Sequence, residues 1–133
     1  MKLGFLTACL PELPLSDIAD WASSAGYEAL EVAVWPSTGS RDFEASHIDV
    51  ANFGAGEAEQ VGELFDKHGL LLSSLAYYEN NLHPDETRRA EIAAHVKHAI
   101  DAAALLGVET VGTFIGRDPG LSVKENEIGR AHV

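Results

Sequence analysis

Only one cysteine, Cys9, occurs in the chain, so no internal disulfide can brace it, and a lone thiol fits a reducing compartment. Basic residues are also scarce: 9 Lys and Arg stand against 21 Asp and Glu, for a formal net charge of -12. Such a field repels phosphate backbones, which disfavours nucleic acid as a partner. No apolar run approaches the roughly 18 residues of a membrane-spanning helix. The opening Met1-Lys2-Leu3-Gly4-Phe5 passes straight into a strand-like stretch followed by Pro11 and Pro14, without the longer apolar core of a signal peptide. The expectation is a soluble, cytoplasmic protein with no membrane partner. GxGxxG, Walker and GxSxG loops are missing too, and with them the commonest sequence signals of nucleotide binding and serine hydrolysis.

What the chain does have is a cadence. Four short apolar runs, residues 2–6, 29–35, 70–78 and 110–115, alternate with amphipathic helical stretches. Strands separated by helices in this way pair in parallel through right-handed crossovers. In the first helix Ser16 is expected to cap the free amides, with Ile18, Trp21, Ala22 and Ala25 on the buried face. The second helix is expected over 57–68, with Val61, Leu64 and Phe65 inward. The third starts near Pro84 and Asp85 and carries Ile92, Val96, Ala99, Ile100, Ala103 and Leu106 as its stripe. Gly26, Gly69 and Gly107 supply the helix stops. No helix is expected to cover the fourth strand. Residues 36–56 break the rhythm, because about twenty residues without periodicity exceed the ~2–6 of an ordinary βα loop. They read either as a working loop or as a surface insertion with a short helical turn.

A complete (β/α)8 barrel takes about 250 residues. Four units in 133 residues therefore make either a small open α/β sheet or a parallel barrel truncated to about its first four strands. A self-contained flavodoxin-like domain would need an anion-binding glycine loop after the first strand, and Thr7-Ala8-Cys9 is not one.

In parallel α/β folds the reacting groups collect where strands end. The four exits read Thr7-Ala8-Cys9, Trp35-Pro36, Tyr77-Tyr78-Glu79-Asn80-Asn81 and Thr113 through Asp118. Aromatic faces beside amides and hydroxyls suit a polyhydroxylated ligand: rings cover C–H faces while Asn and Thr satisfy hydroxyls. Trp35, Tyr78, Asn80 and Thr113 are the candidate substrate contacts; the alternative is rim packing and a local turn. Strand alternation sets Ala29, Glu31, Ala33 and Trp35 against Leu30, Val32 and Val34. The second set should meet the helices, leaving Glu31 pointing into the barrel, where a carboxylate needs a partner. Lys2, near the start of the neighbouring strand, is one candidate partner, and because Glu31 lies before the strand's exit a structural ion pair is favoured over a direct catalytic role. His95 and His98 are expected at the surface of the third helix, and His68 at a helix end. His47, Asp49 and His83 are better placed but lack a spacing that specifies a metal, and nothing near Cys9 would activate its thiol.

Taken together, the strand Lys2-Leu3-Gly4-Phe5, the segment Gly26-Tyr27-Glu28-Ala29-Leu30-Glu31, the run from Tyr77 to Pro84 and the helix AIDAAALLGVETV over 99–111 resemble the N-terminal half of a sugar phosphate isomerase/epimerase of the xylose isomerase-like TIM-barrel superfamily. The resemblance covers about residues 1–120. It implies a metal-dependent enzyme that moves a proton between carbons of a ketose, aldose or related polyol, with Mn, Mg, Co or Zn held by carboxylates and a histidine on later strands. The implied partner is a sugar or sugar phosphate, and a homo-oligomer is left open. No catalytic residue and no metal ligand carry over onto this chain, so the 133 residues alone are expected to be inactive. Alternatives are a non-catalytic sugar-binding protein on the same barrel and the AP-endonuclease-like branch. Residues 127–133 resemble the translation of a sequencing-library adapter; on that reading the native half-barrel is 1–126, continues beyond it, and His132 is no ligand candidate.

Overall fold

The computed structural model describes residues 1–37 and 45–130. Strand β1 (Gly4–Leu6) leads through a 3-10 turn at Thr7–Cys9 into helix α1 (Leu15–Ser24). Then follow β2 (Ala29–Ala33), a 3-10 turn at Val50–Asn52, α2 (Ala55–His68), β3 (Leu71–Asn80), α3 (Glu86–Leu106), β4 (Val111–Phe114) and α4 (Val123–Arg130). The four strands form one parallel sheet in the order β1-β2-β3-β4. Helix follows strand throughout, so this is one half of a (β/α)8 barrel.

The strand alternation holds. Leu30, Val32 and Val34 are fully buried on the helix-facing side, each contributing about 1.5–3 kcal/mol of burial. Leu75 and Tyr77 continue that layer from β3, while Glu31 and Tyr78 share the opposite, luminal face and are hydrogen-bonded. The glycine stops are where the pattern put them: Gly26, Gly69 and Gly107 all have positive φ.

Four local expectations are corrected. Ser16 is not the cap of α1: the helix begins two residues earlier than that cap would set it, at Leu15 behind Pro14, because Leu15 is buried, and the Ser16 hydroxyl donates instead to Asp17. The buried face of α1 is Leu15, Ile18, Ala19 and Ala22. Trp21 is 52% exposed and lies beside Phe5 and Tyr27 as a surface aromatic cluster. On α3 the inward face is Ile92, His95, Ala99, Ala102 and Ala103, and Ile100 is exposed; the helix is rotated so that His95 reaches a backbone carbonyl beneath it. Last, a helix does follow the fourth strand. Asn126 of α4 accepts from the amide of Asp118 and donates to its carbonyl, tying α4 to the loop that precedes it. His132 lies outside the described residues.

The long connection after β2 turns back along its own strand. Val34 and Ser46 form an antiparallel bridge, with hydrogen bonds from the Trp35 amide to Ala45 and from the His47 amide to Ala33. The helical turn at Val50–Asn52 is capped by Asp49, whose carboxylate accepts from the Ala51 amide and the Asn52 side chain. Those bonds, the one from Asn52 foremost, hold its pKa below the usual carboxylate range.

Candidate active site at the strand exits

Three adjacent strands place one residue each at a common point on the luminal face. Tyr78 of β3 donates its hydroxyl to Glu31 Oε1 of β2 across 2.7 Å. Gly112 of β4 lies alongside, where a Cβ would collide with the Tyr78 hydroxyl and come within 3.0 Å of Glu31 Oε1. Glycine is therefore what lets the pair form. The hydrogen bond to Glu31, then burial, then the carboxylate's charge push the Tyr78 phenol up to about 12, so it keeps its proton under all ordinary conditions. The Phe114 ring lies 4.9 Å from that of Tyr78 and the Trp35 ring 6.2 Å.

The partner expected for Glu31 is thus replaced. Lys2 is exposed, and no ion pair joins it to Glu31 among the described residues; a phenol from the neighbouring strand meets the carboxylate instead. Trp35 is only 8% exposed and donates its indole N–H to Glu79 Oε1 over 3.2 Å. Asn80 staples two exits together: its amide oxygen accepts from the amides of Leu82 and Arg117, and its nitrogen donates to the Arg117 carbonyl. The side-chain amide is therefore occupied by backbone. Thr113 accepts from Asn81 and borders the groove that Val96 and Ile100 line beside α3, on the outer side of β4.

A second constellation ties the first two exits. Fully buried Thr7 accepts from the Ala33 amide at 2.9 Å, and its hydroxyl lies 2.8 Å from His47 Nδ1. His47 Nε2 faces the Leu10 carbonyl. A carbonyl only accepts, so Nε2 carries the hydrogen and Nδ1 accepts from Thr7. Burial holds His47 below its ordinary value, in keeping with that neutral tautomer. The sequence marked both residues singly; nothing local could pair positions 40 apart. Beside them a groove of about 600 Å³ runs between α1 and α2, lined in part by His47, Asp49, Phe53 and Leu64.

His95 corrects its expected surface position. It is 9% exposed, its Nε2 donates to the Val34 carbonyl at 2.6 Å, and its ring packs 4.4 Å from Tyr77. Burial is the largest influence holding it below its ordinary value. His98 is exposed as expected.

The donors among the described residues do not fit a divalent metal. Among the described residues no three His, Cys, Asp or Glu side chains converge. His47 is engaged by Thr7 and the Leu10 carbonyl, Asp49 by its own loop, and His83 accepts from the amide of Asp85 at the start of α3. Cys9 is an exposed free thiol. No helix among the described residues is long and apolar enough to cross a membrane.

A parallel half-barrel with its polar pair on the luminal face below the strand exits defines the class. The sequence profile of the xylose isomerase-like TIM barrel family matches residues 19–131, and the chain belongs to that family. Among solved structures it is similar to a D-psicose 3-epimerase with D-tagatose from Clostridium cellulolyticum H10, at 17% identity and TM-score 0.61, covering 85% of this chain and 37% of that one. A xylose isomerase domain protein from Planctomyces limnophilus superposes at 17% identity and TM-score 0.63, covering 97% and 46%. The IolI protein with a bound zinc atom does so at 21% identity and TM-score 0.66, covering 95% and 42%. The chain thus spans less than half the length of each, and at these identities the likeness speaks for the fold alone. No curated protein matches the chain.

Proposed function

We propose that residues 1–126 form the first half of a barrel enzyme that moves a proton between neighbouring carbons of a ketose, aldose or related polyol. The observation that carries this reading is the Tyr78–Glu31 pair, lodged over Gly112 and beside the Phe114 ring on the luminal face below the strand exits. Its acceptor atoms suit sugar hydroxyls, and the flanking rings suit the C–H faces of the carbon chain. The epimerase with its bound ketose and the zinc-holding neighbour agree in kind.

On this reading these residues bind and orient the sugar, while the metal and the acid/base groups come from strands outside the 133 residues. No catalytic step is assigned to the present chain, since no three His, Cys, Asp or Glu side chains converge among the described residues. Trp35, through Glu79, and Asn80, through the Arg117 backbone, brace the pocket wall rather than touch the reacting carbon.

The test uses the complete polypeptide encoded around this sequence, with ketoses and aldoses in heavy water and with Mn, Mg, Co or Zn supplied in turn. Metal-dependent deuterium uptake at the carbon beside the carbonyl, followed by NMR, is the expected result. Saturable sugar binding with no exchange under any metal would instead make the protein a binding protein on this barrel.

A further inference from the structure

The Glu31–Tyr78 pair has a polarity that its geometry dictates. Because the phenol gives its only hydrogen to Glu31 Oε1, the Tyr78 oxygen has nothing but lone pairs left for a third group. Glu31 Oε2 takes no hydrogen bond from the described residues, and no cation pairs with the carboxylate among them. The luminal surface here is thus acceptor-only and negatively charged, with aromatic rings of Phe114 and Trp35 beside it. Gly112 puts no side chain of its own into the space.

An acceptor-only site is satisfied by donors and penalises lone pairs brought against it, the more so as burial lowers the local dielectric. A sugar hydroxyl can turn its hydrogen toward Glu31 or Tyr78. A phosphate or carboxylate carries no hydrogen to offer at neutral pH and meets a like charge instead.

We propose that the Glu31–Tyr78 pair is a specificity determinant: it admits the uncharged, hydroxyl-bearing part of the ligand and turns a phosphate or carboxylate away from this half of the lumen. The inference rests on the sugar reading above and narrows it, because the family resemblance leaves sugars and sugar phosphates equally open. The phenol's raised pKa supports it, since a phenol that stays protonated keeps its hydrogen committed to Glu31. Arg117, exposed past β4, is the cation nearest in sequence to these exits, and the test must separate its influence from that of the pair.

The experiment measures equilibrium binding to the complete polypeptide by calorimetry, using one neutral ketose and the matching aldonate, whose terminal carboxylate replaces a hydroxyl-bearing end. Wild type is expected to prefer the ketose by at least tenfold. In Glu31→Gln the charge is gone and the side-chain amide brings a donor to a surface that otherwise offers only acceptors. That preference should then fall at least tenfold, by weaker ketose and stronger aldonate binding together. Tyr78→Phe removes the hydroxyl and keeps both ring and carboxylate; it should weaken the ketose while leaving the aldonate excluded. Arg117→Gln should leave the Glu31→Gln shift unchanged.

A Glu31→Gln variant that weakens both ligands equally would overturn the proposal, as would a wild type that binds the two alike. Ketose binding with an unchanged ratio would leave the sugar reading standing and remove this inference alone. Failure of wild type to bind any neutral sugar would remove both. If Glu31→Gln does not fold, the Tyr78→Phe ratio decides: equal weakening of ketose and aldonate sinks the idea.

Discussion

His95 Nε2 donates to the carbonyl of Val34 across 2.6 Å, so a side chain from α3 completes the backbone hydrogen bonding just where β2 leaves the sheet. The same ring packs against Tyr77 of β3, which makes one histidine the link between a helix and two strand exits.

Replacing His95 by Phe should keep much of the packing and leave the Val34 carbonyl unpaired, at a cost of about 1–3 kcal/mol. The acid limb should change as well. His95 and His47 both sit below 6.5 in the fold, so above that pH both are neutral whether folded or unfolded. As pH falls through 6.5 the unfolded chain takes up protons first, and stability drops until the folded values are passed. Urea unfolding from about pH 7.5 to 5 should therefore show a shallower decline in His95→Phe, by the share of one proton. An identical slope in the variant would refute the assignment.

Tyr78 predicts the opposite limb. Its folded value of about 12 stands above the ordinary 10.0, so the fold keeps this contribution at every pH below 10 and loses it as pH climbs toward 12. In Glu31→Gln that alkaline loss should shrink. Carbon-13 shifts of labelled tyrosine, read against pH, check the assignment directly.

Gly112→Ala should destabilise the chain by about 1–3 kcal/mol, because the new methyl enters the space held by the Tyr78 hydroxyl and Glu31 Oε1. Combining it with Tyr78→Phe should recover part of the loss. A double-mutant cycle with additive costs would show that the clash lies elsewhere.

Thr7→Val preserves shape and removes a hydroxyl that both accepts from the Ala33 amide and donates to His47. The expected cost is about 1–3 kcal/mol for the buried amide left without an acceptor. Hydrogen exchange should report loss of protection at Ala33 before any change at Leu75; uniform loss would point to global destabilisation.

The polypeptide as written should self-associate. Among the described residues both sheet edges are unpaired, and Leu3, Phe114 and Ile115 are more than half exposed along them. Sedimentation over a range of concentrations should show mass rising with concentration, more steeply in high salt because the net charge of -12 opposes contact. A single monomeric species throughout would contradict this.

Much of the fold was legible because it is written in local periodicity. The apolar runs, the glycine stops and the parity that sends Leu30, Val32 and Val34 to the helices each depend on neighbours a few residues away, and all appear in the structure. The start of α1 and the rotation of α3 were misread for a related reason: Leu15 and His95 owe their burial to surfaces from other elements. Propensity at Ser16 and the apolar stripe through Ile100 could not outweigh those contacts.

At the site, the sequence by itself determined which residues stand at strand exits and that Glu31 faces the lumen, since a two-residue alternation leaves no other choice once one face is apolar. Tertiary structure alone decided the partners. Tyr78 rather than Lys2 meets Glu31, Thr7 meets His47, and Gly112 clears the space, because each of these contacts depends on the register between strands that are far apart in the chain. Side-chain hydrogen bonds are short-ranged and directional, so the register that brings donor to acceptor is set by how the whole sheet packs, and no local pattern of residues encodes it.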